Sequence, residues 1–178
     1  MSTPDPTVEE MRSRVARFAA MTPSTQAFVD TRIPDYARDI YNVIGRGVTE
    51  DPGLAPAISD SRNFSITYVG AEPGKGAALH AHETVEVFIP LTGRWAAYWG
   101  EAGDKEIALD TFDVISFPPG IFRGFRNIGT EKALLMAIIG SKPETGDGGR
   151  VDWAPEILRQ SHETGLRVNA AGDLETSG

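Results

Sequence analysis

From Asn63 onward the chain alternates short apolar runs with glycine, proline or polar pairs. Phe64–Val69, Ala77–His82, Val85–Leu91 and Trp95–Trp99 come first, and Ile107–Leu109, Val114–Phe117, Ile121–Ile128 and Ala133–Ile139 follow. Runs this short, with turn residues at both ends, read as strands rather than helices. The breaks at Glu72-Pro73-Gly74, Thr92-Gly93, Gly100–Gly103, Pro118-Pro119-Gly120 and Gly129-Thr130 supply the turns. About eight strands at this spacing predict an all-β antiparallel sandwich or barrel.

The flanks have a different texture. Thr7 caps a predicted helix through Met21, with Glu9 and Glu10 in its first turn. Val8, Met11, Val15, Phe18 and Ala19 recur at near-helical spacing, as in a helix laid on the outside of a domain. Phe28-Val29 reads as a short strand and Asp35–Ile44 as a helix, after which Gly45, Gly47, Pro52, Gly53 and Pro56 break the chain. Residues 141–150 are a loop, Trp153–Glu163 a C-terminal helix, and Val168–Gly178 a fraying tail. With no repeat or linker this is one domain: a 1–62 extension, a 63–140 barrel, and a 141–178 loop, helix and tail.

Composition narrows the partners. Seventeen basic against 25 acidic residues leave a net charge of −8, and there is no basic run, which excludes nucleic acid and anionic membranes as principal partners. The absence of cysteine removes disulfides, thiolate metal sites and thiol nucleophiles together. No apolar run is long enough to cross a bilayer. The first residues lack the basic start and apolar core of a signal peptide, so the expectation is a soluble, cytoplasmic protein.

The candidate chemistry lies in the stretch Gly74–Gly93, GKGAALHAHETVEVFIPLTG. Residues i and i+2 of a strand share a face, so His80 and His82 aim both imidazoles at one point. Glu83-Thr84 can turn the chain and bring Glu86, early on the returning strand, to the same point. Two imidazoles and a carboxylate on a rigid sheet form a 2-His-1-carboxylate set for a divalent metal. An isolated His-x-His is by default a pair on a polar strand face; Glu86 and the glycines in register lift the metal reading above that.

The spacing Gly74-x5-His80-x-His82-x3-Glu86-x6-Gly93 resembles the first cupin motif at every fixed position. The second cupin motif is matched at Pro118, Gly120 and Asn127, while Phe112 replaces its first glycine and Arg123 replaces the histidine that is its fourth metal ligand. The resemblance covers residues 63–140. It implies a double-stranded β-helix, the jelly-roll barrel, with an N-terminal helical extension, a C-terminal helix and a homodimeric assembly.

Arginine is always protonated and offers no lone pair, so Arg123 cannot ligate a metal. Three arrangements follow. The metal stays on His80, His82 and Glu86 while Arg123 holds an anionic substrate group; Arg123 pairs with Glu86 and the metal is lost; or His162 supplies the missing ligand. By alternation Phe88, Trp95, Trp99 and Phe125 line the same interior and are candidate substrate contacts. The leading expectation is a metal-dependent cupin enzyme of the dioxygenase type acting on a small, carboxylate-bearing substrate, with Glu86 and Arg123 as catalytic residues. Fe(II) is the favoured ion, with Mn, Ni or Zn as substitutes, or none where Arg123 displaces it. The competing expectations are an isomerase or lyase on the same site and a non-catalytic small-molecule-binding cupin.

Overall fold

The computed structural model describes residues 3–142 and 148–176, so parts of the expected 141–150 loop and of the terminal tail lie outside the described residues. Two five-stranded antiparallel sheets face one another. One runs β1 (Asp39–Ile44), β2 (Phe64–Ala71), β9 (Ala133–Gly140), β4 (Glu86–Pro90), β7 (Ile115–Phe117). The other runs β10 (Asp152–Trp153), β3 (Gly76–Ala81), β8 (Arg123–Asn127), β5 (Trp95–Trp99), β6 (Lys105–Leu109). Apart from the paired neighbours β1–β2 and β5–β6, consecutive strands lie in opposite sheets, the arrangement of a jelly roll rather than a meander.

The apolar runs become strands where alternate residues can be buried between the sheets. β9 is the plainest case: Ala133, Leu135, Ala137 and Ile139 are buried while the residues between them are half-exposed. Inward residues of both sheets, among them Val69, Phe88, Trp95, Phe125 and Leu135, make the main core. A second core lies outside β3, where Val29 and Ile33 of the N-terminal segment meet Ala78, Trp153, Ile157 and Leu166. The two ends of the chain therefore pack together on one face of the barrel.

Three expectations outside the barrel are corrected. The first helix, α1, covers only Val8–Arg12; Thr7 and Glu10 form a reciprocal cap, but Ser13 ends the helix and nothing in it is buried. Phe28-Val29 is no strand: Val29–Arg32 is a turn of 3-10 helix, and another follows at Pro34–Tyr36. Asp39–Ile44 is strand, not helix, because Ile40 and Asn42 alternate inward and pair with Val69 and Thr67 of β2. The C-terminal helix α2 spans Pro155–Glu163, and Trp153 precedes it on a strand paired to His80. The tail does not fray within the described residues. β11 (Leu166–Val168) and β12 (Leu174–Thr176) form a hairpin anchored by the fully buried Leu166. No helix among the described residues is long and apolar enough to cross a membrane.

Candidate metal centre

β3 delivers the histidines. Against β8 its register slips between Ala77 and His80: Ala77 pairs with Phe125, His80 with Arg123. Three steps on one strand thus match two on the other, a bulge that re-aims the side chains beyond it. His82 lies just past the strand end, held by its carbonyl, which accepts from Gly120 N–H at 2.9 Å. β4 brings Glu86 back through its pairing with Phe117 and Ile139. His80, His82 and Glu86 are all buried, and one ligand atom of each lies within 4.8 Å of the others. His82 Nε2 is 3.3 Å and His80 Nε2 3.8 Å from Glu86 Oε2.

Contacts behind the imidazoles fix their tautomers. His80 Nδ1 lies 2.7 Å from the Ala78 carbonyl, which can only accept, so Nδ1 carries the proton and Nε2 a lone pair. The Thr84 hydroxyl donates to the Gly148 carbonyl at 3.1 Å and is left to accept from His82 Nδ1, also at 3.1 Å. Both Nε2 lone pairs therefore point into the site. Burial pushes His80 down to about 3, which keeps it neutral. Burial alone would push Glu86 up, but the Arg123 guanidinium that donates to it outweighs that and holds its carboxyl below the usual carboxylate range. Two neutral imidazoles and an ionised carboxylate are the protonation states a divalent cation requires, and the donor set fits one.

Arg123 stands beside this set as the sequence places it, but it faces inward. It is wholly buried; Nε donates to Glu86 Oε2 at 2.8 Å, Nη1 to the Ile121 carbonyl at 2.9 Å, and Nη2 to His82 Nε2. The guanidinium thus occupies the lone pair of one prospective ligand and one oxygen of another. Its donors are committed to protein, and a substrate carboxylate would have to displace Glu86 to reach them. His162 is exposed on α2 and takes no part in the cluster.

A cavity of about 40 Å³ lies between the sheets, with His80 and Glu86 on its wall. Of the aromatic residues expected to line it, only Phe125 does. Phe88 packs on Phe117 and Phe125 with ring centres 5.5 and 5.0 Å apart, Trp95 lies wholly buried against Phe125, and Trp99 leans on Phe117. These three fill the core by packing on the Phe117 and Phe125 rings. Residues without a motif complete the cavity instead. Trp153 closes it from β10, its ring centre 5.4 Å from that of His80, and Arg38 enters from the residue before β1. Trp153 is held by Glu50, which accepts its Nε1–H at 2.7 Å and the Val29 N–H at 2.7 Å. The only sequence signal for Arg38 and Glu50 is a charge set among residues that pack.

Residues 67–139 match the family model described as a cupin domain, so this part of the chain is a cupin domain. None of the curated proteins matches it. Solved structures similar to it include a cupin-like protein from Thermotoga maritima, 18% identical over 71% of this chain and 85% of that one, with a TM-score of 0.46. A cupin 2 domain-containing protein from Halorhodospira halophila is 18% identical over 71% and 77%, at 0.47. An RmlC-like cupin from Shewanella frigidimarina is 10% identical over 70% and 87%, at 0.49.

Proposed function

We propose that this cupin is a metal-dependent enzyme acting on a small organic acid, with a divalent transition ion held by His80, His82 and Glu86. The observation that carries the reading is the orientation of the imidazoles. The Ala78 carbonyl and the Thr84 hydroxyl turn both Nε2 lone pairs toward one ionised carboxylate, the kind of outer support that ligating histidines receive. Iron(II), or manganese, nickel or zinc on the same donors, would supply either access to oxygen chemistry or Lewis-acid polarisation. Oxygenase chemistry is the leading form, isomerase or lyase chemistry the second.

The protein's own residues set the rest. Arg123 keeps Glu86 ionised and its Nη2 covers His82 Nε2, so the guanidinium competes with the ion for that nitrogen. Phe125, Ile139 and Trp153 wall the cavity with apolar surface and keep bulk water from the reacting groups. Arg123 also favours a second reading, a metal-free binding pocket, since two of its three contacts already engage Glu86 and His82. The chain is further proposed to form a homodimer, because Val8, Met11, Val15 and Phe18 leave an exposed apolar strip on the N-terminal segment.

Replacing the competitor with a ligand tests the role of Arg123. Arg123→His should bind Fe(II) or Mn(II) at least ~10-fold tighter than the parent, on the scale of a good additional ligand. Equal affinity in the two proteins would remove Arg123 from the site's chemistry. Dioxygen uptake with a panel of short carboxylic acids then separates oxygenase from isomerase or lyase chemistry.

A further inference from the structure

The second buried ion pair of the barrel is not fully satisfied. Arg38 Nη1 donates to Asp30 Oδ2 at 2.9 Å and to the carbonyls of Tyr36 and Gly76 at 2.8 and 3.2 Å. Asp30 Oδ2 also accepts from Ala78 N–H at 3.0 Å. Both side chains are withdrawn from solvent, at 3% and 0% exposure. Yet among the described residues Arg38 Nε and Asp30 Oδ1 are shielded atoms with no partner. Buried polar atoms left without a partner are costly and rare in folded proteins. Arg38 nonetheless lines the central cavity, the same one that His80 and Glu86 line, with its guanidinium over the Phe28 ring at 5.1 Å.

We propose that Arg38 is the anion anchor of the barrel, holding the acid group of a short-chain carboxylate whose other end reaches His80 and Glu86. Arg38 makes its contacts through Nη1 and its Nε is shielded, so Nη2 is the donor it presents to a carboxylate, as a charge-assisted hydrogen bond. Arg123, the arginine at the ligand position, has its Nη2 engaged with His82. Ile40, Val69 and Ala137 between the two ends are aliphatic. The ligand is therefore an acid with a small apolar body. At about 40 Å³ the cavity takes roughly three water-sized groups, so once the carboxylate is placed the body is restricted to roughly one or two carbons. The Asp30 carboxylate is the intramolecular rival of that ligand, since both address the same guanidinium. The proposal names the substrate class of the metal-site reading and rests on it only for the reacting end; the anchor itself needs no metal.

Propionate is the probe, with chloride at equal ionic strength as the control, measured by calorimetry and by the rise in melting temperature of chelator-treated protein. Wild type should bind propionate, with butyrate and longer acids progressively weaker. Asp30→Asn, which removes the rival and keeps the anchor, should tighten binding several-fold. Arg38→Met alone leaves Asp30 buried without its partner and can fail to fold, so the decisive variant is the neutral pair Asp30→Asn/Arg38→Met. A folded double variant should lose propionate at least ~10-fold, the share of a charge-assisted hydrogen bond. Unchanged affinity in that variant, or no binding to wild type, overturns the anchor. Arg38-dependent binding by a protein that takes up no metal would leave the anchor standing and remove the metal-site reading. Metal uptake without Arg38-dependent binding would do the reverse.

Discussion

Phe112 is the one described residue other than glycine whose φ, 71°, lies in the left-handed region, and it is 74% exposed. The second cupin motif has a glycine at this position, and the backbone here has a conformation that glycine adopts freely. The strain of that conformation is about 1 kcal/mol, and little packing is at stake. Phe112→Gly should therefore raise the melting temperature by about 2–4 °C in a chain of this size; a fall on calorimetry would mean that the ring has a contact of its own. Arg123 is the opposite case, where a changed motif residue is fully used. Arg123→Ala leaves the Glu86 carboxylate buried without its partner and should cost about 3–5 kcal/mol in denaturant unfolding. His80, His82 and Glu86 were legible from the sequence because strand alternation converts spacing directly into a shared face. The pairing of Arg123 with Glu86 was one of the arrangements the sequence offered; its further contact with His82 Nε2 was not legible, because spacing sets a side chain's position but not which of several acceptors its donors choose. Nor was the use of Arg38, since its contacts come from segments distant in sequence.

Between strands β3 and β4 the turn does more than reverse the chain. Thr84 links His82 Nδ1 to the Gly148 carbonyl, so the turn sets the tautomer of a prospective ligand. Thr84→Val should weaken metal binding about 10- to 100-fold, the usual effect of removing such a support, and Thr84→Ser should restore it. Loss of stability without loss of metal affinity would reduce Thr84 to a structural link. Strand positions and turns were readable in this region because glycine, proline or polar pairs mark the breaks and burial has period two. Gly74 and Gly120 have φ of 78° and 77° with open space where a Cβ would stand, so backbone conformation alone accounts for them. Outside the barrel the same reasoning failed at Asp39–Ile44, where the apolar residues are too few to separate the two periods. Pairing with β2, a tertiary effect, decided for strand.

Across the whole molecule, the two chain ends meet on one face of the barrel, and Glu50 ties them through Trp153 and Val29. Burial pushes Glu50 up to about 7 against those two hydrogen bonds; Asp30 adds to the rise and Arg38 opposes it. Between its ordinary value of 4.5 and about 7 the folded protein holds a proton that the unfolded chain has released. Its contribution is complete below 4.5 and is lost as pH rises through 7, by about 3 kcal/mol. Glu50→Gln cannot titrate, so the stability difference between wild type and variant should follow that window; a difference independent of pH would show that Glu50 is ionised throughout. The exposed strip from Val8 to Phe18 predicts a dimer by sedimentation that becomes a monomer when residues 1–21 are removed. A monomeric full-length chain would leave that strip without a function. The central claim, an ion on His80, His82 and Glu86, is tested most directly by elemental analysis of untagged protein purified without chelator. The account predicts about one equivalent of a transition metal, absent from His80→Ala. No metal after incubation with Fe(II), Mn(II), Ni(II) and Zn(II), or equal metal in His80→Ala, would contradict it and leave a pocket closed by Arg123 and Glu86.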